Sequence, residues 1–349
     1  MAVSREHRKE WARAALRGLE NATMPSFTPD LVALDEEGIR WDVRQAIAHG
    51  FFSTMCVCEA GLTLEENKRF IGIVCDEAAG RIQVSLTLLL DSFEDIHALL
   101  GHAEQCGASH ALLAYPTTFR PADPAAIVEA TRRIAERTSL GLVMYATDKF
   151  DFVRFHPSHV PFEAYDQIAD IPNVVSLKVG FGDPAMTFEC FERFGRRVLV
   201  NVGTPWLLGL FPLLRRRYGA QWFGGGSWEV WQSPGKPYLV EYYHHVVRGE
   251  TDQARAIYWR LAAANALAAR ENISRGGDIG MYHWPLGKYI SWSVGGNGGL
   301  TRQPAMRLTA GAMQGRKMAL RAMGIEPREP DEEFFIGRVR YARERGQAP

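Results

Sequence analysis

What most constrains this chain is an eightfold alternation of short apolar runs with longer amphipathic stretches. The runs are Thr23–Phe27, Phe51–Val57, Val84–Thr87, His110–Tyr115, Gly141–Tyr145, Val174–Lys178, Val198–Val202 and Ala220–Phe223. Strands buried on both faces read as continuous apolar runs, and each connection here is long enough to hold a helix. Pro124–Thr138 carries Ile127, Ala130, Ile134 and Ala135 on one face, and Leu64–Ala79 carries Phe70, Ile71 and Val74. Asp123 followed by Pro124 is an N-cap with proline at the first helical position. Eight strand–helix units predict an α/β fold of the (β/α)8 TIM-barrel type. The competing doubly wound sheet would show a Gly-rich phosphate loop after its first strand, and none is present.

The alternation stops near Arg248, which divides the 349 residues into an N-terminal helix (1–22), a barrel (23–248) and a C-terminal helical region (249–349). Thr251–Glu271 reads as one long helix and Pro304–Met323 as another. Between them Val294–Gly299 holds four glycines without the Lys-Ser/Thr of a phosphate loop, so it reads as a turn needing positive φ.

Lys plus Arg and Asp plus Glu both number 40, so the basic face that phosphates require is missing and nucleic acid is not an expected partner. No stretch approaches the roughly 20 apolar residues of a membrane span. Ser4–Leu19 is amphipathic and lacks the apolar core of a signal peptide. Five scattered cysteines form no disulfide framework, so the expected compartment is the cytoplasm.

In a barrel of parallel strands chemistry gathers at the strands' carboxyl ends, which this reading places at Thr28, Glu59, Thr87, Tyr115, Tyr145, Lys178, Gly203 and Gly224. That set lacks the several His, Asp or Glu ligands of a metal enzyme, so no metal and no cofactor is expected. Cys56 and Cys58 could hold zinc only with a second ligand pair, and none is near in sequence. Lys178 ends an apolar strand; burial penalises its charged form, and a neutral amine adds to a ketone to form an imine. The plainer reading is a lysine that snorkels from the strand end to a surface carboxylate.

Asn173–Lys178 resembles the Schiff-base strand of the dihydrodipicolinate synthase and N-acetylneuraminate lyase family, and Val143–Tyr145 resembles its strand ending in a proton-relay tyrosine. Tyr145-Ala146 followed by Lys149–Phe152, Ile171–Val175 and Ala220–Gly225 are similar to the aromatic hydratase-aldolase branch. The resemblance implies Lys178 as the imine-forming amine, Tyr145 as proton shuttle, and a homotetramer. It also implies that Trp222 and Gly224 shape a distal pocket, with Trp206, Trp228 and Trp231 following strands seven and eight. Two departures stand out. The family's strand-two Thr-Thr-Gly-Glu is here Cys56-Val57-Cys58-Glu59, leaving only the glutamate, so backbone N–H groups at Cys56 and Val57 are expected to hold the substrate carboxylate. The family's strand-four tyrosine pair is here a single, shifted Tyr115.

The expected function is therefore a Schiff-base lyase. It would make or break a C–C bond, or add or remove water, next to a 2-oxo acid such as pyruvate, with a bulky or aromatic aldehyde as partner. Two alternatives remain: a Schiff-base dehydratase of a sugar acid, which predicts a polar pocket wall, and a barrel that binds a metabolite without turnover.

Overall fold

The computed structural model describes residues 3–180, 183–203, 205–270, 282–302 and 308–349. Eight strands form one parallel sheet: β1 (Gly18–Thr23), β2 (Ser53–Cys56), β3 (Gln83–Thr87), β4 (His110–Leu112), β5 (Gly141–Ala146), β6 (Val174–Val179), β7 (Leu199–Val202) and β8 (Trp222–Gly226). The ladder runs β7-β6-β5-β4-β3-β2-β1-β8, and β7 packs beside β8 to complete a barrel. The (β/α)8 expectation holds.

Helix α1 (Arg8–Ala15) precedes the barrel; α2 (Glu36–Ala48), α3 (Leu64–Ala78), α4 (Phe93–Cys106), α5 (Pro124–Glu136), α6 (Phe162–Ile168), α7 (Pro184–Phe194), α8 (Phe211–Tyr218) and α9 (Tyr238–Arg248) follow the strands in turn. Local chemistry starts them. Thr63 and Glu66 cap α3 reciprocally, and the Asp123 side chain accepts from Ala126 N with Pro124 at the first position of α5. The largest core cluster lies between strands and helices, with Phe70, Leu86, Ile127, Leu142, Leu177 and Phe223 fully buried.

The first strand differs from expectation. It is Gly18–Thr23, so α1 ends at Ala15 and the boundary at residue 22 falls inside the barrel. Met24-Pro25 follows the strand because proline has no N–H for a central ladder. Thr28 consequently lies beyond the strand end, its hydroxyl donating to Asp30 at 2.6 Å. Helix α1 packs across the amino-terminal end of the barrel, burying Ala12 and Leu16 against Met55, Leu112, Val143 and Trp222.

The C-terminal region holds α10 (Thr251–Arg260), α11 (Ala262–Arg270), α12 (Trp284–Trp292), α13 (Ala310–Ala322), α14 (Asp331–Ile336) and α15 (Arg338–Glu344). The expected helix over 251–271 is broken at Leu261, with Glu271 outside the described residues, as are 303–307 at the start of the expected 304–323 helix. Gly295, Gly298 and Gly299 have φ of 126, 75 and 91°, the left-handed turn that the glycine run predicts. Buried Arg316 of α13 ties this region to the barrel, donating to the carbonyls of Glu229 (2.7 Å) and Val230 (2.6 Å). Among the described residues no helix is long and apolar enough to cross a membrane, and all five cysteines are unpaired.

Candidate active site

Lys178 reaches the barrel interior through an irregularity in β6. Leu142 of β5 pairs with Val174, but the next residue, Val143, pairs with Ser176, so Val175 is an extra residue in the ladder. Side chains alternate along a strand, and an inserted residue reverses the phase downstream. Val174 therefore faces the outer core while Lys178 faces inward beside its register partner Tyr145. The snorkelling alternative is not what the structure shows: Lys178 is 7% exposed. Its Nζ donates to the Gly225 carbonyl at 2.6 Å and lies 5.3 Å from the Tyr145 ring centroid.

Burial pushes the Lys178 amine down to about 8, against the opposing pull of Glu20 and Glu59 and with Lys149 adding to the fall. Gly203 leaves room for the stem: a Cβ there would stand 2.5 Å from the Val179 carbonyl oxygen and 3.0 Å from Lys178 Cγ. Tyr145 is also buried, which raises its phenol and keeps it protonated at neutral pH. Its backbone carbonyl accepts from the Tyr165 hydroxyl at 2.8 Å, and its own hydroxyl meets that of Tyr282 at 3.2 Å.

Tyr282 and Lys149 complete the rim of the site, and no role for either was legible in the sequence. Lys149 follows β5, and its Nζ sits 4.3 Å over the Tyr282 ring, a cation–π contact. Its partial burial lowers its amine, while Asp148 and Glu59 oppose the fall. Glu59 accepts from the Thr87 hydroxyl, which in turn accepts from the Cys58 N–H at 2.9 Å; burial raises the Glu59 carboxyl. Glu59, Tyr115 and Tyr282 line a cleft of about 520 Å³ that also takes in Thr117, Trp284 and Arg302.

Several expected contacts fall elsewhere. The Val57 N–H is bonded to the Thr23 carbonyl at 3.0 Å, so it is not free for a substrate carboxylate. Cys56 is fully buried in the outer core together with Cys58, whose thiol points at the Cys56 carbonyl. The Tyr115 hydroxyl is spent on Thr131 of α5 at 2.7 Å, although its ring lines the cleft. Trp222 opens β8 rather than closing it, because the strand runs on through three glycines to Gly226. It therefore fills the barrel interior against Phe52 and His110. Gly224 faces inward as well, a Cβ there standing 2.8 Å from Asn201 Nδ2. Trp228 and Trp231 pack on each other, with Trp231 Nε1 donating to Asn265 of α11 at 2.7 Å, while the side chain of Trp206 lies outside the described residues.

Known proteins resemble the chain in sequence and in fold. A 4-hydroxy-tetrahydrodipicolinate synthase of Hyphomonas neptunium is 29% identical over 155 residues, 43% of this chain and 51% of that protein. A probable 5-dehydro-4-deoxyglucarate dehydratase of Xanthomonas campestris pv. campestris is 27% identical over 209 residues, 58% of this chain and 64% of that protein. In sequence the chain is similar to proteins of the dihydrodipicolinate synthase family. The dihydrodipicolinate synthase of Aquifex aeolicus superposes with a TM-score of 0.72 at 18% identity, covering 90% of this chain and all of that one. PhdJ bound to a substrate intermediate superposes at 0.67 with 19% identity, covering 88% and 95%. At such identities the structural likeness carries the fold alone. The sequence matches span about half to two thirds of the first two relatives' length. No family model matches the chain.

Proposed function

We propose that the protein is a lyase that forms a Schiff base between Lys178 and a 2-oxo acid. The observation that carries this reading is the Lys178 amine, held inside the barrel beside Tyr145 and with an ordinary value lowered to about 8. Nζ attacks the ketone carbon, its lone pair forming the C–N bond while the carbonyl oxygen takes a proton. Loss of water then gives the iminium, which withdraws electrons from the neighbouring C–C or C–H bond. The Tyr145 hydroxyl is the proton carrier within reach, and the Tyr282 hydroxyl at 3.2 Å extends the relay toward the cleft.

With the Val57 N–H engaged, Lys149 takes over the carboxylate of the oxo acid, as the cation poised at the rim over Tyr282. Glu59 orders the loop after β2 through Thr87. The stacked rings of Tyr282 and Trp284, 4.6 Å apart, offer an aromatic aldehyde partner a flat wall. The dehydratase reading keeps one specific support: the same cleft presents Asp91, Asp95, Thr63 and Thr117, groups that suit a hydroxylated chain. A homotetramer follows the family resemblance, and a location in the cytoplasm follows the scattered, unpaired cysteines.

Borohydride trapping with pyruvate and a panel of 2-oxo acids, read by intact and peptide mass spectrometry, tests the class. An adduct on Lys178 that is absent from Lys178→Ala is the expected result. Folded protein that traps no oxo acid overturns the lyase reading and favours the binding barrel. Turnover of aromatic aldehydes against sugar acids then separates the two lyase readings.

A further inference from the structure

Below Lys178 the barrel contains a second charged group that the chemistry above does not use. Glu20 of β1 is 2% exposed and points inward. Three strands in succession each present one donor to its Oε1: Ser53 Oγ of β2 at 2.9 Å, Ser85 Oγ of β3 at 2.7 Å, and His110 Nε2 of β4 at 2.7 Å. A buried carboxylate is tolerated only with such a set of partners, since desolvation alone costs several kcal/mol. Burial acts to raise the Glu20 carboxyl, and the His110 and serine contacts outweigh it, leaving it lowered and ionised.

The other oxygen, Oε2, accepts from the Gly225 N–H at 2.8 Å. Gly225 lies in a bulge, because Leu19 pairs with Phe223 while Asn21 pairs with Gly226. An extra residue in one strand drops out of the ladder and leaves its peptide groups free for other partners. Here its N–H goes to Glu20 and its carbonyl to Lys178. A Cβ there would stand 2.4 Å from Met55 Cε, so a larger residue would require that side chain to shift. The carboxylate and the amine thus grip opposite ends of one residue. A void of about 10 Å³ lined by Glu20, Ser85, His110, Lys178 and Trp222 lies between them, too small for more than about one water. Glu20 is buried behind these partners.

We infer that Glu20 is the positioning residue and buried counter-charge of Lys178, acting through Gly225 on the nitrogen that becomes positive as the imine forms. The inference rests on the Schiff-base reading. A cationic iminium in a low-dielectric interior needs a fixed anion, and one built into the scaffold needs no reorganisation when the charge appears. The groups facing Lys178 are Glu20 from β1, Glu59 after β2, Lys149 after β5 and the Tyr145 phenol of β5. Of the two carboxylates, only Glu20 is linked to it through a hydrogen-bonded residue.

The test is the rate of borohydride trapping with pyruvate against pH, in the full chain and two variants. Glu20→Gln keeps the shape and removes the charge. Its trapping midpoint is expected to fall by about one pH unit and its high-pH plateau about tenfold, because the charged lysine and the iminium both lose their counter-ion. Glu20→Asp keeps the charge but is one methylene too short to hold Gly225 while bonded to its three other donors. Its midpoint is expected to stay within a few tenths of the parent while the plateau falls. A merely structural glutamate would lower the active fraction without moving the midpoint. A folded Glu20→Gln with an unmoved midpoint overturns the inference; if that variant does not fold, a Glu20→Asp plateau equal to the parent's overturns it. Absence of any adduct in the parent chain removes the Schiff-base reading and this inference with it, whereas an adduct with unmoved variants removes the role of Glu20 alone.

Discussion

Replacing Lys178 by methionine removes a buried amine while keeping the stem's length, and the structure fixes how the change in stability depends on pH. In the unfolded chain the lysine holds its proton up to its ordinary 10.5, whereas in the folded protein it releases it near 8. Between those values the unfolded state binds more protons, so the parent's stability rises with pH, and below 8 it carries the full penalty. At 1.36 kcal/mol per pH unit that penalty is about 3 kcal/mol at pH 7 and about 1.4 kcal/mol at pH 9.5. Lys178→Met is free of it at every pH. It leaves the Gly225 carbonyl without its donor, a pH-independent cost of about 1–2 kcal/mol. The variant should therefore be more stable than the parent by about 1–2 kcal/mol at pH 7, with the advantage gone or reversed at pH 9.5. Urea unfolding of both proteins at the two pH values, followed by far-ultraviolet circular dichroism, reads the difference directly. A gap between variant and parent that is the same at both pH values would refute a depressed lysine, and with it the physical basis for imine chemistry here.

Three further outcomes follow from the site. Tyr145→Phe removes the hydroxyl beside Lys178 and not the amine, so the borohydride adduct should persist while turnover falls by about 10²–10⁴. Lys149→Met should raise KM for the oxo acid by about tenfold or more with a much smaller change in kcat, the signature of lost binding rather than lost chemistry. Gly203→Ala drives a methyl against the Val179 carbonyl and the Lys178 stem, so it should cost about 1–3 kcal/mol in urea unfolding and slow trapping about a hundredfold.

Seven of the eight strands were legible because their outward faces are apolar and their turns are punctuated, as in Gly141–Ala146 and Val174–Val179. The first was misplaced by a few residues, and the reason is the site itself. Glu20 and Asn21 sit where a strand pattern calls for apolar residues, one reaching inward to three polar donors and the other outward to Glu229 at 2.9 Å. Strand eight was cut short at Phe223 because three glycines have little strand propensity. Their neighbours Asn201, Met55 and Trp228 come within 2.8, 2.4 and 3.3 Å of where a Cβ would stand, so glycines let these side chains pack close to the strand. Lys178 and Tyr145 were legible as a polar residue and a phenol ending apolar strands. Tyr282, which meets Tyr145 across 137 positions of chain, carries no local pattern that could have pointed to it.

The misplaced strand and the bulged one are two parts of one arrangement. Apolar side chains in place of buried charges often leave a protein as stable or more so, yet this barrel buries Glu20, Ser53, Ser85, His110 and Lys178 in a continuous inner region. With the lysine neutral, the inner anion is held by His110 and its serine donors; on the Schiff-base reading, the positive charge of the iminium would stand opposite Glu20 across the Gly225 residue. On that reading, the same carboxylate that holds the resting amine in place would favour the charged intermediate over the neutral one. That is the direction in which binding energy must act if it is to speed a reaction rather than only hold a ligand.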